Sequence, residues 1–143
     1  MTTQNPFGTT ITAQDVIEDL SFFDSWEDRY RYIIDLGKQL PDMEESLKTS
    51  DRLIPGCQSQ VWLEANFDGT NLHFTVDSDA HIVRGLLAMV MAAFNNKTPQ
   101  AICQFEIEQY FAKIDLIKHL SPTRGNGLQA MVNKILQVAE QQS

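Results

Sequence analysis

The hydrophobic residues follow two different periods along the chain, and the first period predicts helices. In residues 13–20 and 26–39, apolar side chains recur at the three- and four-residue spacing of a helix that buries one face. A capping signal precedes each segment: Thr12 with Asp15, and Ser25 with Asp28. The pattern therefore predicts two short amphipathic helices that follow an irregular arm, residues 1–11.

The second period begins at Val61, where apolar and polar residues start to alternate. Residues 61–67 and 72–76 both alternate, and Asp68-Gly69 followed by Thr70-Asn71 supplies a loop between them. This pattern predicts an antiparallel hairpin with one apolar face, which needs helices to cover it. Residues 52–54 are predicted to add a short strand before the hairpin.

The second half of the chain predicts mainly helices. Residues 80–94 are apolar over most of a helical circumference, with Ser78 or Asp79 as the expected cap, so this helix is expected to be central and buried. Gly85 costs about 1 kcal/mol there relative to alanine, which is tolerable if the helix approaches the sheet closely. Further helices are expected after Thr98-Pro99 and Ser121-Pro122. The predicted fold is α+β, one domain over residues 1–143, with a small antiparallel sheet packed against helices.

Composition narrows the class of protein. The 143 residues are 43% hydrophobic, as in a soluble globular domain with a real core. No apolar run reaches the roughly 18 residues of a membrane span, and the N-terminus lacks the pattern of a secretory signal, so we expect a cytoplasmic protein. The net charge of −8, with only 11 lysines and arginines, argues against nucleic-acid binding.

The candidate chemistry centres on Cys57. Pro55 restricts the backbone before it, and Gly56 permits conformations and close approaches that other residues do not. Uncharged polar residues follow it: Gln58, Ser59 and Gln60. The sequence predicts a thiol presented on a loop, although an inert cysteine buried beside a Pro-Gly turn fits the same residues.

Other candidate sites are weaker. Cys103 lies beside Ile102 in a helical pattern and is expected to pack as a small apolar residue. The histidines lack the close spacings of zinc motifs. Arg124-Gly125-Asn126-Gly127 is too short for a phosphate-binding loop, but two glycines and a cation are unfavourable at a helix start, which often marks a functional or tightly packed site.

Four strings in order resemble one family. IPGCQSQVW resembles the cysteine motif of the SufE family, the sulfur-acceptor partners of cysteine desulfurases. WEDRYRYIIDLGKQLP, DSDAHIVRGLLA and HLSPTRGNGLQAM resemble other segments of that family, so the likeness covers nearly the whole chain. NPFGTTITA is closer to the CsdE branch and CQSQ to the SufE branch proper, and the two branches use different desulfurases.

The resemblance implies a SufE-like fold with a three-stranded sheet and a role for Cys57 as acceptor of persulfide sulfur. Arg124, which matches the arginine of the family's last-helix entry, is then a candidate for supporting the thiolate or for docking. Candidate partner contacts lie in the loop and at the corner between the hairpin and the next helix: Gly56, Gln58, Ser59, Gln60, Asp79 and His81.

The implied partners are a cysteine desulfurase of the SufS/CsdA type and, downstream, an iron–sulfur assembly scaffold or another sulfur acceptor. Pyridoxal phosphate belongs to the desulfurase, so no cofactor or metal is expected on this chain, and no membrane or nucleic acid is an expected partner. Two alternatives stay open. One is a stand-alone thiol redox protein in which Cys57 attacks and Cys103 resolves, and the other is a binding module whose Cys57 is inert.

Overall fold

The computed structural model describes residues 6–54, 60–114, 120 and 122–142, with the side chains of 122–124 left out. Within these ranges, one antiparallel hairpin packs against a layer of helices. The helices are α1 (Ala13–Ser21), α2 (Trp26–Lys38), α3 (His81–Phe94), α4 (Pro99–Gln104), α5 (Ile107–Lys113) and α6 (Pro122–Gln142). The strands are β1 (Val61–Phe67) and β2 (Leu72–Ser78), and short 3-10 turns cover Glu45–Leu47 and Ser50–Arg52.

The predicted N-terminal helices are confirmed, including their caps. The Thr12 hydroxyl accepts a hydrogen bond from the Asp15 amide, and the Asp15 carboxylate accepts one from the Thr12 amide at 3.0 Å. Ser25 caps α2 by accepting a hydrogen bond from the Asp28 amide. Each cap satisfies backbone donors that a helix start leaves without an intrahelical partner.

The predicted hairpin is also confirmed. Val61 lies opposite Ser78, and Phe67 lies opposite Leu72. The Asp68 carboxylate accepts hydrogen bonds from the amides of Thr70 and Asn71 at 2.8 and 2.7 Å, which closes the loop as its residues predict. The alternation fails at both ends of the hairpin, since Phe67 at the tip is 39% exposed and Trp62, on the face opposite Val61 and Leu63, is 8% exposed.

The prediction of a three-stranded sheet is wrong for the part of the chain that the structure describes, where the sheet has two strands. Leu53 forms an isolated antiparallel bridge with Trp62, at the place where residues 52–54 were expected to form a strand. The 3-10 turn of Ser50–Arg52 comes directly before Leu53, so the extended backbone is too short to count as a strand.

Helix α3 lies at the centre, as its apolar circumference predicts. It contacts α1, α2, α6 and β2, and its residues from Gly85 to Phe94 are all buried. The expected cap is wrong, because α3 begins after Ala80, which makes no side-chain cap. Ser78 instead accepts a hydrogen bond from the Ala80 amide, and Asp79 reaches the residue before β1.

Gly85 allows α3 to approach another element closely, as expected. That element is helix α2, and not the sheet that was expected. A Cβ placed on Gly85 would lie 2.3 Å from the Ile33 carbonyl oxygen of α2. A Cβ on Gly37 would lie 2.5 Å from the Gly85 amide nitrogen. The two glycines therefore set the distance at which α2 and α3 cross.

The remaining helices close the core around α3. Helix α6 buries one face, and α4 begins with the predicted Thr98 cap and Pro99. The expectation for Cys103 is wrong: its thiol is exposed on α4, because the adjacent Ile102 occupies the buried side. No helix in the described ranges combines the length and apolar character needed to cross a membrane.

Candidate functional site

The two ends of the predicted cysteine loop meet at one end of the hairpin. On the entering side, the Ile54 amide donates a hydrogen bond to the Val61 carbonyl at 2.9 Å. On the leaving side, the Gln60 amide donates to Asp79 Oδ1 at 3.1 Å, and the Asp79 amide donates back to the Gln60 carbonyl at 3.3 Å. Residues 55–59 themselves lie outside the described residues, so the structure defines where the loop begins and ends.

Of the candidate site residues, the structure brings two together. Gln60 and Asp79 are both exposed and form the reciprocal pair at the leaving side of the loop. His81, the first residue of α3, is exposed two positions further on. Cys57, Gly56, Gln58 and Ser59 lie outside the described residues. Arg124 belongs to the first turn of α6, and its side chain lies outside the description.

Behind this exposed corner lies a buried ionic cluster that the sequence interpretation missed. Asp77, in β2, is 2% exposed, and its Oδ1 atom accepts hydrogen bonds from the Arg84 guanidinium and from the Ser78 amide. Its Oδ2 atom accepts a hydrogen bond from the Met43 amide at 3.0 Å and lies 3.4 Å from Lys48 Nζ. The carboxylate therefore has partners from three separate parts of the chain, as a buried charge requires.

The cluster favours the ionised form of Asp77. Burial disfavours the charge, but the Met43 and Ser78 amides, together with Arg84 and Lys48, outweigh burial and hold the pKa of Asp77 below its ordinary value. The pKa of Lys48 is raised, first by its hydrogen bond to Glu45 and also by the charge of Asp77. Both groups are therefore charged at neutral pH.

Arg84 extends the cluster toward the segment that follows α2. Its Nη2 atom donates to the Leu40 carbonyl at 2.6 Å and lies 3.2 Å from Asp42 Oδ1. The sequence held a signal for this, because a single cation on an otherwise apolar, buried helix needs a partner. The identity of that partner was not predictable, since Asp77 resembles an ordinary polar position at a strand end.

Lys48 connects the cluster to the strand that leaves the cysteine loop. Its ammonium lies 5.3 Å from the centre of the Trp62 ring, within the range of a cation–π contact. Trp62 is 8% exposed and pairs with Leu53 on one side and with Asp77 on the other. Trp62 and Asp77 each lie two residues along their strands from the Gln60–Asp79 pair, and Lys48 contacts both.

These features define a class of protein: a small α+β domain that holds a short cysteine-bearing segment between two anchored ends beside a hairpin and a central helix. Sequence relatives give the family. Residues 14–139 match the model of the SufE family, described as an Fe-S metabolism associated domain. The chain belongs to this family.

Two relatives support the assignment. An uncharacterized SufE-like protein of Rhizobium meliloti is 48% identical over 129 residues, which cover 87% of this chain and 92% of the relative. An uncharacterized SufE-like protein of Rhizobium etli is 44% identical over 129 residues, which cover 87% of each chain.

One solved structure supports the fold. The solution structure of a hypothetical protein from Thermus thermophilus superimposes with a TM-score of 0.73 over 90% of this chain and 93% of that one. The sequence identity is 14%, so this likeness concerns the fold alone.

Proposed function

We propose that this protein is a sulfur acceptor and carrier that activates a cysteine desulfurase. Cys57 accepts sulfur from the persulfide of the desulfurase and relays it toward iron–sulfur cluster assembly. Pyridoxal phosphate is the cofactor of the desulfurase, and the pair works in the cytoplasm, where reducing conditions keep thiols free. The observation that carries the proposal is the family match over residues 14–139, with the motif that bears Cys57 inside it.

The transfer step is thiol–disulfide exchange with a persulfide as the donor. The Cys57 thiolate attacks the outer sulfur of the donor persulfide, and a new sulfur–sulfur bond forms at Cys57. The bond between the two donor sulfurs breaks, and its electron pair stays on the inner sulfur, which leaves as a thiolate and takes up a proton. No external oxidant or reductant is needed, because the sulfur changes carrier without a net change in oxidation state.

The arrangement of the described residues suits this role. A carrier loop must enter another protein's active site, so it benefits from firm ends and an exposed position. Both ends of residues 55–59 are anchored by backbone hydrogen bonds, at Ile54 and at Gln60, and exposed polar residues adjoin the leaving end. The net charge of −8 suits docking to a partner with a basic surface.

The proposal is tested by mass spectrometry after incubation with a cysteine desulfurase and free cysteine. The wild-type chain is expected to gain the mass of one sulfur atom on Cys57, and the donor is expected to turn over faster. The chain offers a matched control in its second thiol: Cys57→Ser should lose labelling and activation, whereas Cys103→Ser should keep both. An unlabelled wild-type chain, or activation that survives Cys57→Ser, would overturn the proposal.

The same variants separate the alternatives. A stand-alone thiol peroxidase would consume peroxide without any desulfurase, and it would lose that activity in both Cys57→Ser and Cys103→Ser. A binding module with an inert cysteine would activate the donor equally well as wild type and as Cys57→Ser. The carrier function predicts neither result.

A further inference from the structure

The segment that leads into the cysteine loop has little regular structure of its own. The connector, residues 39–54, joins α2 to the loop and contains two 3-10 turns. Short turns of this kind make few internal hydrogen bonds. The path of the connector therefore depends on contacts with the rest of the molecule.

The contacts of residues 39–48 converge on the buried cluster, whereas residues 52–54 contact β1. Asp77 accepts a hydrogen bond from the Met43 amide at 3.0 Å, and Arg84 donates to the Leu40 carbonyl at 2.6 Å. Within the cluster, Lys48 makes the contact that lies nearest the loop in sequence, since its ammonium lies 3.4 Å from Asp77 and over the Trp62 ring. The start and the middle of the connector are thus fixed to β2, α3 and β1.

Lys48 belongs to the connector, and its partners lie either in the hairpin or in its own 3-10 turn. Its ammonium faces Glu45 at 3.1 Å as well as Asp77, and its side chain is 20% exposed. Arg84 and two backbone amides hold the Asp77 carboxylate in position without Lys48. The ion pair with Lys48 therefore adds one more contact between Asp77 and the connector. Removal of its charge would therefore loosen the connector and leave the core packed.

We propose that Lys48 is a positioning residue, which pins the connector to Asp77 and Trp62 and so fixes the point at which the chain enters the Cys57 loop when the protein docks to the sulfur donor. The inference rests on the proposed carrier function. A connector that is already in place gives up less conformational freedom on docking than a connector that must be ordered by the partner. Lys48 therefore acts on the affinity for the donor and takes no part in the sulfur transfer at Cys57.

The test is a titration of the desulfurase with wild-type protein and with Lys48→Met, which removes the charge and retains most of the apolar stem. We expect the concentration for half-maximal activation to rise about five- to thirtyfold, the equivalent of fixing roughly one further backbone residue on docking. Maximal activation and sulfur loading of Cys57 should stay at the wild-type level. Lys48→Arg, which keeps a cation between Asp77 and Trp62, should restore most of the affinity.

Two further measurements separate positioning from general stability. Amide exchange of Met43 should accelerate in Lys48→Met, while exchange within α3 should stay as in wild type. Lys134→Met removes the same charge from an exposed position on α6 and should leave the titration unchanged. In an Asp77→Asn background, the effect of Lys48→Met should shrink, because the anchor for the ammonium is weakened.

An unchanged half-maximal concentration in Lys48→Met, at a temperature where the variant is fully folded, would overturn the inference. A loss that appears only as a lower unfolding temperature would also overturn it, since it would give Lys48 a purely structural role. These outcomes are distinct from a failure of the carrier function, in which the wild-type chain itself would neither load sulfur nor activate the donor.

Discussion

At the scale of single residues, the crossing of α2 and α3 depends on Gly37 and Gly85. Each glycine occupies a position where a Cβ would collide with the backbone of the other helix. Backbone cannot move aside as the end of a flexible side chain can, so the contact tolerates no added atom. The central helix owes its depth in the core to these two positions.

Gly85→Ala is expected to lower the free energy of unfolding by about 1–3 kcal/mol, the usual range for an overpacked core, although alanine is the better helix former. Gly125→Ala is the matched control, because among the described residues a Cβ there has no neighbour within 4 Å. That variant should be neutral or more stable by up to about 1 kcal/mol. Urea unfolding of both variants tests the account, and equal behaviour of the two would contradict it.

Single residues also mark where sequence interpretation succeeds and where it fails. The Thr12–Asp15 cap was predictable because all its partners lie within one turn of helix. Asp79 was expected as a helix cap, but its carboxylate binds the Gln60 amide, 19 positions away in the sequence. A glycine at position 85 indicated that another element packs closely against α3. The sequence pattern alone does not tell whether that element is a sheet or a helix.

At the scale of elements, the N-terminal arm is attached to the core at the end of α3. Asn95 is 4% exposed, and its side chain accepts a hydrogen bond from the Phe74 amide at 2.7 Å and donates one to the Phe7 carbonyl at 3.0 Å. One amide group thus joins β2 to the arm. Lys97 adds a second tie by donating to the Gly8 carbonyl at 3.0 Å.

Asn95→Ala is expected to lower the free energy of unfolding by about 1–3 kcal/mol, because the buried Phe74 amide loses its side-chain acceptor. Asn133→Ala provides a comparison, since Asn133 is exposed on α6 and pairs only one helical turn away, with Gln129. Its replacement should change stability by less than about 0.5 kcal/mol. Chemical unfolding measures both, and a neutral Asn95→Ala would contradict the assigned role.

The elements divide in the same way between what was predictable and what was not. The hairpin followed from alternation and its turn residues, and the helices followed from their apolar periodicity. The path of residues 39–54 did not, because its partners include Asp77 and Arg84, which belong to elements later in the chain. Long-range ionic contacts of this kind leave no periodic signal in the sequence.

At the scale of the whole molecule, the Asp77 cluster links acid stability to the region around the cysteine loop. The pKa of Asp77 lies below its ordinary value in the folded protein. Its ionised carboxylate therefore stabilises the fold above the unfolded-state pKa of about 4, and that contribution disappears as the pH falls through the lower, folded-state pKa.

The difference in unfolding free energy between wild type and Asp77→Asn should accordingly be largest near neutral pH and should shrink as the pH falls below about 4. Urea unfolding over a pH series measures it. A difference that stays constant over the acid range would mean that the charge of Asp77 has no part in the stability of the fold.

The carrier function is a property of the whole molecule with its partners, and it is tested most directly by following sulfur through it. A desulfurase supplied with radiolabelled cysteine should place one labelled sulfur on each wild-type chain, at Cys57. After the desulfurase is removed, addition of an iron–sulfur scaffold should transfer that label from Cys57 to the scaffold. Label that never reaches Cys57, or that stays on it when the scaffold is present, would contradict the account.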